Sequence, residues 1–143
     1  MDVPAARAVR DLGGREDLEL LLREFYRRAF DDALLRHVFV DVVQMDLERH
    51  VPVLADFWEK VLFGAGRYSG PTMQVHRRVH ARVPLTPAHF DRWLQLWRET
   101  LDAMFTGDVA DRADAQARRM APVFLRNLTG GQPPRSLPVV PGA

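Results

Sequence analysis

Apolar residues recur along this chain with the three-to-four-residue spacing of helices, and no long segment alternates with the period of two expected of a half-buried strand. Leu18, Leu21, Leu22, Phe25 and Ala29 follow this rule and predict a helix over about Arg15 to Phe30. Asp32 to Val38 predicts a short, tight helical turn that ends near Phe39. Leu47, His50, Leu54, Phe57, Trp58 and Val61 share one side of a long helix from about Asp46 to Phe63. Pro52 lies near its start, where proline is tolerated; deeper in, it would kink the helix. Gly64 to Pro71 is a break, and a short helix follows over about Thr72 to Val79. Pro84 and Pro87 bracket a second break, in which Thr86 can cap the next helix and Pro87 fits its first turn. Phe90, Trp93, Leu94, Trp97, Leu101 and Met104 stay in phase to about Phe105. Ala113, Ala117, Met120, Ala121, Phe124 and Leu128 form the stripe of a last helix that starts near Val109. The expectation is an all-α protein with an N-terminal extension (1–14), one helical domain (15–129) and a disordered tail (130–143) rich in proline and glycine.

Composition narrows the functional classes. The 143 residues suffice for one domain with a substantial core. There is no cysteine, which excludes disulfides, thiolate zinc sites and cysteine-ligated haem or iron–sulfur clusters. No apolar run approaches the roughly 18 residues of a membrane span. Met1-Asp2-Val3-Pro4 is no apolar signal core, so the chain reads as cytoplasmic. A net charge of +1, with basic and acidic residues interspersed, gives no footprint for nucleic acid or a membrane surface.

Candidate chemistry lies in histidines and aromatics. His50 falls on an apolar stripe, where a satisfied core histidine is the commoner reading and a ligand the sharper one. His76 and His80 are four residues apart and project from one helix face. That is the spacing of a helical two-histidine metal site, but the flanking Gln74, Val75, Arg77 and Arg78 supply no third ligand. Tyr26, Phe30, Phe39, Phe57, Trp58, Phe90, Trp93 and Trp97 sit on or near core-facing stripes of separate helices. Large residues fill cores. Yet Tyr26 and Trp93 also carry polar hydrogens inward, and buried donors need acceptors. There is no nucleophile elbow or paired-carboxylate constellation, and Gly64 to Gly70 lacks the lysine of a phosphate loop.

Several segments together resemble group III truncated haemoglobins. Phe25-Tyr26 is similar to the aromatic pair of that branch's B helix, and Phe39 to the phenylalanine that wedges haem in globins. His50-Val51-Pro52 followed by Asp56-Phe57-Trp58 resembles its distal histidine motif. Tyr68 to His76 resembles its approach to the proximal histidine, and Phe90-Asp91-Arg92-Trp93-Leu94 the segment bearing its pocket tryptophan. The resemblance covers about Arg15 to Leu128. It implies a two-over-two helical sandwich around haem b, with His76 as the iron ligand and Tyr26, His50 and Trp93 as the distal polar set. Phe39, Leu54, Phe57 and Met73 would pack the haem, and Arg77, Arg78 and Arg82 are nearby candidates for its propionates.

The resemblance further implies reversible binding of O2, NO or CO. It leaves room for an enzyme of NO dioxygenation or peroxide chemistry that needs an external reductase, since the chain carries no dinucleotide-binding motif of its own. A monomer or weak dimer is expected. A haem-free helical interaction module with an aromatic core is the reading from a different class.

Overall fold

The computed structural model of the chain describes residues 10–64 and 72–128. The expected tail and the Tyr68 to Pro71 approach lie outside them. The described elements are α1 (Arg15–Asp31), α2 (Ala33–Arg36), a π-helical segment (His37–Val42), α3 (Leu47–Phe63), α4 (Thr72–Arg82), α5 (Pro87–Met104) and α6 (Asp108–Leu128).

Local chemistry sets their ends. Asp32 leaves helical conformation after α1, and its carboxylate accepts the Leu34 and Leu35 N–H groups at 3.1 and 3.0 Å, capping α2. The helical turn expected to stop near Phe39 winds on to Val42, and the chain turns away at Gln44, whose φ is 55°. Pro52 is well inside α3, so the Glu48 carbonyl has no helical N–H to accept. Gly64, left-handed at φ 67°, ends α3 with its N–H on the Lys60 carbonyl at 3.0 Å. At the start of α5, the Thr86 N–H donates to His89 Nδ1 at 3.0 Å in a reciprocal cap, with Pro87 in the first turn.

The N-terminus of α6 is capped from a distance. Asp11 accepts the Val109 and Ala110 N–H groups at 2.7 and 2.9 Å. Gly107 has φ +148°, and a Cβ there would collide with the Asp11 side chain. Residues 10–14, which the sequence pattern groups with the extension, therefore pack onto the helices; Leu12 is 2% exposed.

Arg15 meets Asp56 and Glu59, whereas Arg23, two turns on, meets Glu48, so α1 and α3 run antiparallel. A short link joins α5 to α6, and the Trp97 indole N–H donates to the Ala113 carbonyl at 3.2 Å across this pair. Ala110, Ala113, Ala117 and Ala121 are all buried, and this small-residue stripe lets α6 approach Trp97 closely. The two pairs stack through α1 on α5 and α3 on α6, which is the two-over-two sandwich. Leu18, Leu21, Phe25 and Trp97 are fully buried where the layers meet. Among the described residues no helix is long and apolar enough to cross a membrane.

Candidate functional site

Phe25 and Tyr26 are adjacent on α1, and successive helical side chains diverge by about 100°. Phe25 points to the middle of the sandwich, edge-on to Trp97 at 5.3 Å between ring centres. Tyr26 points to the side, where Phe39 meets it edge-on at 5.4 Å. Trp93, one turn before Trp97 on α5, is near enough to the Tyr26 phenol to favour its charged form slightly. Burial outweighs this and pushes the Tyr26 pKa well up from 10, so the group stays a neutral O–H, which can donate to an acceptor.

Arg92 anchors this arrangement. Its guanidinium pairs with Asp32 at the junction of α1 and α2, beside the residue that must reach Tyr26. Burial alone would raise the Asp32 pKa, but the Leu35 N–H and Arg92 outweigh it and hold the carboxyl below its usual range.

Phe39, Leu54, Phe57 and Trp93 are only partly buried and pack against the core. His76 stands apart from Tyr26 and Trp93. It lies on α4, which packs on α6, and its ring is 4.8 Å from that of Phe124.

The sequence matches the bacterial-like globin family over residues 9–126. The chain belongs to that family. It is 23% identical over 117 residues to the group 3 truncated hemoglobin of Campylobacter jejuni, covering 80% of this chain and 90% of that protein. The crystal structure of the group III truncated hemoglobin from Campylobacter jejuni matches with a TM-score of 0.73 and 22% identity, over 85% of this chain and 95% of the other. The fold of this globin is thus the truncated-globin fold expected from its sequence.

Family membership implies a haem-binding globin, and the residues fit such a group. The partly covered apolar side chains suit a flat apolar macrocycle, His76 is an imidazole on a separate helix, and Tyr26 is a neutral phenol. Among the described residues no group of three or more histidines and carboxylates could hold a bare metal ion, which leaves the His76–His80 pair without a third ligand.

Other candidates stand differently. His50 is exposed, and its Nδ1 lies 2.8 Å from the Asp46 carbonyl. A carbonyl only accepts, so Nδ1 carries the proton and Nε2 of the neutral ring is an acceptor in this conformation. Val51, its neighbour, takes the fully buried position of that turn. Met73 is in α4, but its side chain lies outside the described ones. His80 acts locally, since its Nδ1 accepts the Leu85 N–H at 2.9 Å and closes the α4–α5 turn. Arg82 donates to the Val42 carbonyl at 2.7 Å, tying α4 to the end of the π segment that carries Phe39.

Sequence reasoning named Phe30 among the aromatics, and it sits against both Tyr26 and Phe39 at 6.2 Å. It missed Phe124 as the neighbour of His76. Phe124 lay on a predicted stripe, but periodicity assigns a residue to a face and not to a partner on another helix.

Proposed function

We propose that this globin binds one haem b with His76 as the axial iron ligand, and reversibly binds O2, NO or CO under Tyr26 and Trp93. Phe39, Leu54, Phe57 and Met73 are the packing groups in this reading. Haem held there would supply an iron able to take up a small gas. The rest falls to the chain. The partly covered apolar side chains would exclude water, and Tyr26 and Trp93 would each present a proton to the ligand. His50 is the movable element: it faces outward on the Asp46 carbonyl, and rotation about its side-chain bonds opens or closes the approach.

The observation that carries this reading is the place of Tyr26, a neutral phenol held edge-on to Phe39 and close to the partly covered Trp93. Stopped-flow measurement of oxygen release tests it. A hydrogen bond to a charged partner is worth about 1.5–3 kcal/mol, so Tyr26→Phe should release oxygen roughly ten- to a hundredfold faster. Trp93→Phe should fall between that variant and the native protein. An unchanged rate in Tyr26→Phe overturns the reading of the distal side.

A further inference from the structure

All three tryptophans of the chain stand in one stack. Trp93 and Trp97 are nearly parallel, 7° apart in plane with centres 5.6 Å apart. Trp97 and Trp58 stack at 4.8 Å and 23°. The series starts at Trp93 beside Tyr26, crosses the middle of the sandwich and ends on α3. Packing alone asks for volume and is satisfied by tilted rings, as Phe25 shows edge-on to Trp93 and Trp97. Overlapped indoles in series also couple electronically, and indole is among the most easily oxidised side chains.

The fate of each indole proton differs. Trp97 donates to the buried Ala113 carbonyl, which is no base, so an electron removed from that indole cannot be followed by its proton. Trp93 is the end of the series beside Tyr26, where electrons are drawn off. Trp58 makes no side-chain hydrogen bond among the described residues. The one sealed, unpartnered side-chain polar atom among them is Asp114 Oδ1, so Trp58 Nε1 keeps contact with solvent although the residue is only 3% exposed. Oxidation therefore settles at Trp58, where water takes the proton.

We propose that Trp93, Trp97 and Trp58 form an electron relay that draws electrons from Trp58 to hydrogen peroxide reduced at the site. The relay rests on the haem reading above. Peroxide accepts two electrons and two protons, its O–O bond breaks, and it leaves as two molecules of water. With no other reductant, Trp58 supplies both electrons. Water adds to its ring, a C–O bond forms, two protons leave, and the residue retains one added oxygen atom. A one-electron reductant such as ascorbate at the surface refills Trp58 instead and leaves the indole intact.

The test is peptide mass spectrometry after stoichiometric hydrogen peroxide is added to the haem-loaded protein. The expected result is one oxygen on Trp58, absent when apoprotein is treated and suppressed by ascorbate. In Trp97→Phe the oxygen on Trp58 should fall to the apoprotein level and appear on Trp93 or Tyr26. If Trp97→Phe does not fold, Trp93→Phe cuts the relay at its site end with the same expectation for Trp58. Unmodified Trp58 in a native protein with a normal Soret band overturns the relay alone. So does undiminished oxidation of Trp58 in a folded relay variant. A native protein that takes up no haem overturns the haem reading and the relay with it.

Discussion

Tyr26 shows how much a single side chain's surroundings decide. Its phenol is buried and is pushed well above its usual pKa of 10, with Trp93 opposing the shift. In a Tyr68→Phe protein, which retains Tyr26 as its one phenol, an ultraviolet titration should show no ionisation at pH 10. The phenol should ionise only as the protein unfolds. The folded pKa lies above the unfolded one, so this contribution to stability is complete below pH 10 and is lost as pH rises beyond it. Ionisation at the ordinary value in folded protein would contradict the buried geometry. The sequence made Tyr26 and Trp93 legible as polar hydrogens carried inward on apolar stripes. It did not reveal that the two lie close together, because that depends on two helices meeting in a particular register. His50 was legible as a position and not as an orientation: a first-turn histidine has the carbonyl four residues earlier within reach, and that bond turns it outward.

Element ends carry a second group of predictions. Asp11 caps α6 although almost a hundred positions precede that helix. Removing an N-cap acceptor costs about 0.5–2 kcal/mol, so Asp11→Ala should lower the denaturant midpoint by a corresponding amount. Gly107→Ala should cost at least as much, because it combines a left-handed backbone with a Cβ against Asp11. Equal stability of Gly107→Ala and the native protein would contradict the described junction. At the start of α5, burial and then His37 depress the His89 pKa below 6.5. The unfolded chain thus takes up a proton that the folded one resists, and stability is lost as pH falls below 6.5. His89→Gln keeps an acceptor for the Thr86 N–H without a titrating ring, so its stability should vary less over that range. The helices themselves were legible almost to the residue, since proline, glycine and aspartate punctuate them. The caps that come from elsewhere in the chain were not, and neither was the π winding from His37 to Val42, which no local breaker interrupts before Gln44.

Across the described residues, two antiparallel pairs of helices make a sandwich whose middle is Phe25, Trp58 and Trp97, with partly covered apolar side chains such as Phe39, Leu54 and Phe57 packed against that core as a wall. The period of the apolar residues and the spacing of motifs were enough to anticipate this architecture. The pairing directions came from charges such as Arg15 with Glu59 and Arg23 with Glu48, which a linear reading sees only as a solvated face. The central claim is that His76, and no other histidine, holds a haem against that wall. Haem titration of the apoprotein, followed by absorption in the Soret region, tests it most directly when His76→Gly is compared with the native chain. Native protein should saturate at one haem per chain with a histidine-ligated spectrum. His76→Gly should lose that spectrum and recover it when free imidazole is added, while His80→Ala, though weakened at the α4–α5 turn, should keep it. A His76→Gly protein that binds haem with the native spectrum, or a native protein that binds none, would contradict the account.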